Sequence, residues 1–458
     1  MANRERQRVG ASDHGVARAG AADSTRWYVV GLLTLGMSVA YVDRVNLSVA
    51  ISDIGRLLSL TPQQQGLALS AFFFSYALFQ IPSGWLVDRY GVRTPYIAAF
   101  VLWSLASASM ALTASLTWLI AMRLLLGVGE AVVMPASMRY IRMHFEEKQR
   151  GLAVGLYITG TKIGPAIGFP IAAYLLAGYG WRPMFVLSGL VPLLWIVPYL
   201  RWVGKDDIAA VAANGPGVRL TTPDNVSARA ILASPAMWGT VLGTFCYMYF
   251  FYFCMTWMPI YVRERHGLSV TETGWFTGAA FAGMAATAIL GGRFADALIG
   301  RGHDPVKIRK IFTLAGFALA VTQTAAVFTT STSLILFLSA FSLCGLGVAT
   351  ANYWALTQTL IPGGAIGTVV GIQNTAGSLA GVAAPVLTGW IIEKTGSFDA
   401  PIAAVGAWLL IGAASYVFLV RRKYAPPVRR VGPESIATMC SVPTRTAAPS
   451  QATATDPS

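Results

Sequence analysis

Gly84-Trp85-Leu86-Val87-Asp88-Arg89-Tyr90-Gly91-Val92-Arg93 is the stretch around which the rest of this 458-residue chain can be ordered. It is a short charged segment between two apolar runs, 62–87 before it and 94–113 after it. Each run holds about the 20 mostly apolar residues that a membrane-spanning helix needs. Within the loop, Gly84 allows helices to approach closely and Gly91 supplies a tight turn. Asp88 can accept from helix-end amides or from a nearby arginine, which makes the segment a plausible gate latch.

Working outward, the same reading gives twelve candidate spans: 27–50, 62–87, 94–113, 115–138, 150–178, 182–202, 236–262, 270–292, 309–330, 332–360, 366–392 and 398–420. Only 12% of residues are charged and 55% are hydrophobic, against about 25% charged in a soluble domain. A polar segment containing Asp206, Asp207, Gly215, Pro216, Gly217 and Pro223 separates spans 6 and 7. The expected organisation is a disordered lead (1–26), a six-helix bundle (27–202), a linker (203–235), a second six-helix bundle (236–424) and a disordered tail (425–458). The fold class is all-α membrane protein, with twelve transmembrane helices in two pseudo-symmetric six-helix bundles.

Basic residues set the orientation. With both termini in the cytoplasm, 26 of the 34 Lys/Arg fall in cytoplasmic segments and five in outer loops, Arg56, Arg182, Arg263, Arg265 and Lys394. The net charge of +14 therefore lies at the ends of apolar runs. It forms no stripe with interleaved aromatics, so no nucleic-acid partner is expected. The lead lacks the apolar core of a cleavable signal peptide. Cys246, Cys254, Cys344 and Cys440 have no metal or disulfide spacing, and no metal is expected.

The halves echo each other. Gly84 and Asp88 recur as Gly292 and Asp296, both 208 residues on. Gly160, Gly164 and Gly168 match the spacing of Gly377, Gly381 and Pro385, 217 residues on. Duplicated halves suit a transporter whose site lies between two bundles. The second loop carries Ala297 where the first has an arginine, so its latch is expected to be weaker.

Five ionisable residues lie inside the spans: Asp43, Arg44, Arg123, Glu130 and Lys162, all in the first half. Such groups are costly and mark function by default. Arg123 and Glu130 share one helix face, about 10 Å apart along the axis. Asp43 and Arg44 point about 100° apart, so one can face a cavity and the other a neighbouring helix. The five sum to +1 when ionised, and to +2 once a carboxylate is protonated. That favours an anion bound together with a proton, and Arg suits a carboxylate through paired hydrogen bonds. Lys162 either reaches the cavity or only snorkels.

The Gly84–Arg93 segment fits G-x-L-x-D-R-x-G-x-R throughout and resembles the loop between helices 2 and 3 of the major facilitator superfamily. Tyr41-Val42-Asp43-Arg44-Val45-Asn46-Leu47-Ser48-Val49-Ala50 resembles the first helix of its anion:cation symporter family, the bacterial hexuronate, galactonate, glucarate and phthalate type. Trp257-Met258-Pro259-Ile260-Tyr261 and Gly371-Ile372-Gln373-Asn374-Thr375-Ala376-Gly377 are similar to the same family. The resemblance covers nearly the whole chain between the polar ends. It implies proton coupling at Asp43 and Glu130. It implies substrate contacts from Arg44, Tyr76, Arg123 and Asn374, with Trp354 also at a cavity position. Thr161 stands where sugar-acid members often carry Gln, and Lys162 follows it. Span 7 is unusually aromatic (Phe245, Tyr247, Tyr249, Phe250, Phe251, Tyr252, Phe253). That stripe is either lipid-facing and packing surface or a ring-rich cavity wall suited to a less hydroxylated acid.

The expected function is proton-coupled uptake of a small organic anion by alternating access. Arg44 and Arg123 hold a carboxylate, Tyr76, Asn352, Trp354 and Asn374 complete the pocket, and Thr161 and Lys162 are further cavity candidates. Asp88, with Gly84, Arg89, Gly91 and Arg93, forms the gate. Alternatives are proton-driven efflux of an organic acid or drug and, more distantly, a non-transporting membrane sensor. No enzyme is expected, because four His and no clustered Cys, Ser or metal-ligand set leave no catalytic site to name. No cofactor is expected beyond the proton as coupling ion. The partners are substrate, protons and lipid bilayer, the chain being monomeric in the bacterial inner membrane.

Overall fold

The computed structural model describes residues 2–204, 228–361 and 363–426. The linker positions Asp206 to Pro223, Cys440 and the tail from 427 lie outside the described residues. No strand occurs among the described residues. Eleven helices are long and apolar enough to cross a membrane, and one bent pair makes a twelfth. Spans 1 to 6 are Thr25–Leu58, Pro62–Tyr90, Arg93–Leu112, Leu116–His144, Gln149–Tyr179 and Trp181–Trp202. Span 7 is Pro235–Thr256 with Met258–His266, bent by 47°. Spans 8 to 12 are Val270–Gly300, Pro305–Phe328, Thr332–Leu360, Thr368–Thr395 and Asp399–Phe418.

The expected spans are all present, with ends that differ by residues rather than by element. Span 8 runs on to Gly300, because a helix leaving the apolar zone can carry polar residues without giving up its backbone bonds. Span 1 itself begins at Thr25, two residues before the expected start. The bend in span 7 falls at Trp257, two residues before Pro259, whose missing N–H and ring disfavour a continuous helix.

The duplication is written into the helix starts. Thr61 caps span 2, accepting from the Gln64 N–H at 3.3 Å while the Gln64 side chain accepts from the Thr61 N–H at 3.0 Å. Ser269 and Glu272 form the same reciprocal pair at span 8, at 3.2 and 2.8 Å. Both boxes keep the 208-residue offset of the Gly–Asp pairs. Each satisfies two backbone donors that a helix start otherwise leaves open.

Small residues set how the spans meet. A Cβ added at Gly160 or Gly164 would come within 2.6 or 2.7 Å of the Thr34 or Ser38 carbonyl oxygen, so span 5 lies directly on span 1. The second copy of that stripe does a different job: Gly381 packs on Tyr252 of span 7 and on Phe73 of the other half. The halves meet along spans 2 and 11 and spans 5 and 8. Contact is tight at one end only. Gly66 and Pro62 abut Pro385 and Gly389, and a Cβ at Gly278 would sit 2.7 Å from the Ala166 carbonyl and Pro170. The hydrogen bonds that join the halves through Ser52–Glu264, Asp53–Arg263 and Gln63–Glu393 also lie at the end away from the Gly84–Arg93 loop. The molecule is therefore a wedge, shut at the face opposite that loop and splayed at the loop face.

Candidate functional site

Span 4 is the element that brings the intramembrane charges together. Gly127 lets it lie against Phe72 and Ser75 of span 2, and Gly129 lets it lie against Ala99 and Trp103 of span 3. Its helix breaks at Ala131–Val132, directly after Glu130. Glu130 is fully buried there, and its Oε2 accepts from Arg44 Nε of span 1 at 2.8 Å. The other carboxylate oxygen, Oε1, accepts nothing from the protein.

Arg44 is held in a box of rings. Its guanidinium carbon lies 4.3 Å from the centre of the Tyr41 ring, 4.7 Å from Phe72 and 4.8 Å from Tyr76. Such contacts attract a cation through the ring quadrupole without neutralising it. Arg123, one buried face away, stacks 5.2 Å over the same Phe72 ring. Its Nη2 donates to the Leu69 carbonyl at 3.3 Å, while Nε and Nη1 donate to nothing in the protein. The shared face of Arg123 and Glu130 does not make them partners, because Arg44 takes the carboxylate.

Asp43 points the other way from its neighbour, as the helical spacing requires. It accepts from Ser107 Oγ of span 3 at 2.7 Å and from Asn46 Nδ2 at 3.4 Å, leaving Oδ2 without a donor. Asn46 is itself anchored on Ser188 Oγ at 2.9 Å.

Tyr76 and Asn374 stand on spans 2 and 11 below the Phe73–Tyr252 contact, whose ring centres are 4.4 Å apart across the halves. Tyr76 and Asn374 are both half-buried, and among the described residues the Asn374 side chain makes no hydrogen bond. Thr161 closes back on the Ile158 carbonyl at 2.8 Å. Lys162 reaches from span 5 to the Phe251 ring of span 7, Nζ lying 4.3 Å from its centre. Trp354 is half-buried beside Tyr353, 5.1 Å between ring centres.

Asn352 is not part of this group. It is fully buried, donates to the Val348 and Gly291 carbonyls at 3.0 and 3.4 Å, and accepts from Arg309 at 3.3 Å. Arg309 in turn binds Asp296 at 2.7 Å. The second loop is thus latched despite Ala297: the arginine comes from span 9, and its guanidinium also donates to Asn352. In the first loop Asp88 pairs with Arg139 of span 4. Gly91 ends span 2 at φ 77° and ψ −175°, a positive-φ conformation that favours glycine at the turn expected there. Arg93 donates to the Leu200 carbonyl at 3.1 Å, and Arg89 packs over Trp85 and Tyr90 at 5.6 and 5.7 Å.

The aromatic stripe of span 7 is the helix-packing surface expected of it but does not face outward: Tyr247, Tyr249, Phe250, Phe251, Tyr252 and Phe253 are buried and Phe245 is half-buried. Its rings pack against spans 10 and 12, Tyr247 on Tyr353 and Tyr249 on Trp408. The sequence reading missed the polar seal of the shut face. Asp53 binds Arg263 of span 7 through both oxygens at 2.9 and 3.1 Å, and also pairs with Arg56 on its own helix. Ser52 donates to Glu264 at 2.7 Å, and the Gln63 N–H donates to Glu393 at 3.0 Å. The only available signal was that so few charges occupy the outer loops at all.

A wedge of two six-span halves with a buried charge cluster at its apex defines a membrane carrier. The chain belongs to the Major Facilitator Superfamily, whose family model matches residues 33–385. It is a multi-pass membrane transporter and not an enzyme. Among curated relatives, a hexuronate transporter of Bacillus subtilis is 30% identical over 87% of this chain and 94% of its own. A probable sulfoacetate transporter of Cupriavidus necator is 30% identical over 86% and 94%, and a probable galactarate/D-glucarate transporter of Bacillus subtilis 28% over 91% and 95%. Hexuronate and glucarate carriers are among the groups that the span 1 resemblance named. A crystal structure of a bacterial homolog of the human lysosomal transporter Spinster, inward-facing and unoccupied, shares the fold at TM-score 0.73 and 20% identity, covering 87% of this chain and 97% of that one.

Proposed function

We propose that the protein is a proton-coupled symporter that takes a small organic acid across the bacterial inner membrane by alternating access. The observation that carries this reading is the sealed Arg44–Glu130 pair beside an Arg123 with two unused donors. An anionic substrate competes with Glu130 for Arg44 and fills the open donors of Arg123. Glu130, losing its counter-charge, is then favoured to take a proton, since an isolated carboxylate in a dry site is far costlier than a neutral acid. Substrate and proton thereby travel together. Asp43, held by Ser107, couples this exchange to the Asp88 gate through span 1.

The curated relatives transport hexuronates, galactonates, glucarates and a sulfonated acetate by their names, which supports an acid of that size and charge. The excess of basic residues in one set of loops supports a cytoplasmic Gly84–Arg93 face and cytoplasmic termini, and with them a wedge open inward. The chain acts as a monomer. The test is uptake into proteoliposomes under an imposed pH gradient, using candidate acids one at a time with a pH-sensitive dye inside. Acidification of the lumen that follows the acid inward supports symport. Acid accumulation without proton movement, or acid movement only against the proton gradient, refutes it in favour of uniport or efflux.

A further inference from the structure

Lys162 is the intramembrane charge that the Arg44–Glu130–Arg123 group does not use. It stands half-buried on span 5 of the first half, and its ammonium rests on the Phe251 ring of span 7 in the second. Among the described residues it has no carboxylate partner. A ring face attracts an ammonium but leaves its charge in place. The site is therefore a cation with a floor and no counter-ion.

Its place in the wedge is defined by the span 1–span 5 contact. Gly160 lies on Thr34, Gly164 on Ser38 and Gly168 on Val42 and Val45, so the two helices run in constant register. Residue 162 is then level with residue 36, which puts its backbone about 12 Å from Arg44 along the axis, toward the open face. The side chain turns back toward the closed end. Phe251 packs on Phe281 at 5.8 Å, and Phe281 on Phe169 at 5.6 Å, close to where Gly278 and Ala166 shut the halves together. Lys162 thus sits at the rim of the closed zone, between the halves and on the open side of the Arg44 level.

Charge counting points the same way. Glu130 neutralises Arg44, and Asp43, Arg123 and Lys162 then leave one net positive charge. A proton on Glu130 raises this to two. A dianion bound with one proton brings the site to neutrality, whereas a monoanion leaves an uncompensated cation in a dry place.

We infer that Lys162, seated on Phe251, is a second anion subsite, so that the substrate carries two acidic groups, one held by Arg44 and Arg123 and the other by Lys162. The inference rests on the anion-carrier reading above. It is tested on purified full-length protein by thermal shift with matched pairs: galactarate against galactonate, succinate against butyrate, phthalate against benzoate. In at least one pair the diacid should stabilise the wild type more than its monoacid. K162Q should weaken that diacid about tenfold, the usual scale for a lost charged contact, and leave the monoacid within about twofold, while K162R retains the diacid. F251L, which removes the ring and keeps the charge, should weaken the diacid by a smaller factor and guards against a K162Q protein that does not fold. If R123Q abolishes binding while K162Q and F251L leave the diacid unchanged, or if only monoacids bind, the second subsite is wrong and the anion reading stands. If no acid of any pair shifts the wild type, both fall together.

Discussion

Arg44 of span 1 holds the Glu130 carboxylate of span 4 at 2.8 Å, with the two side chains 4% and 0% exposed. This one contact ties two helices of the first half and occupies the group that a substrate acid would need. In the proposed mechanism it is a bond that the working cycle has to open.

Removing one member is expected to be worse than removing both. Arg44→Ala leaves a buried carboxylate alone, which costs about 3–5 kcal/mol, whereas an apolar replacement of both partners recovers much of that loss. The melting temperatures of R44A, E130A and the double variant, measured without ligand, check the sign of the coupling. Additive losses would show that the pair is not joined in solution.

Glu130→Gln keeps the shape and removes the exchangeable charge. Uptake driven by a pH gradient should fall at least about tenfold, while exchange of labelled for unlabelled acid across the membrane persists. Loss of both activities in equal measure would assign Glu130 to binding rather than to coupling.

Asn352→Ala should not act on substrate affinity. Its amide is spent on Gly291, Val348 and Arg309, so the expected loss is about 1–3 kcal/mol of stability, the cost of buried groups left unpaired. KM for the transported acid should stay within about twofold. A large rise in KM would return Asn352 to the pocket.

Gly278→Leu places a side chain where even a Cβ meets the Ala166 carbonyl and Pro170 at 2.7 Å. The shut face can then no longer close. Cysteine labelling at Ser52 from the outer side should increase, and net transport should fall, with the protein still folded. Unchanged labelling would mean that spans 5 and 8 do not form the closing contact.

Much of this was legible in the sequence because it is local. Twelve apolar runs, the Gly84–Arg93 loop, the two directions of Asp43 and Arg44 and the duplicated Gly–Asp pairs all follow from spacing along one chain. What escaped depends on which distant segment comes alongside. Ala297 looked like a missing partner because Arg309 lies thirteen residues beyond Asp296, on a different helix. Asn352 looked like a pocket amide because nothing along span 10 announces Arg309 above it. The rings of span 7 read equally as lipid-facing, since burial depends on spans 10 and 12. The Thr61–Gln64 and Ser269–Glu272 caps were local and readable, and their shared offset would have strengthened the case for duplication.

Asp53 shows how such a closure can be undone without stranding a charge. Its carboxylate is shared between Arg263, across the gap, and Arg56, one turn along its own helix. When the halves part at this face, Asp53 surrenders the far arginine and keeps the near one. The Asp53–Arg263 pair is half-buried, with 25% and 19% of its side chains exposed, so solvent screens it only in part, and the standby Arg56 limits what its opening costs. A carrier that rested deeply in either posture would turn over slowly. A clasp with a resident understudy keeps the two postures close in free energy, and the pace of the cycle is left to what occupies the centre.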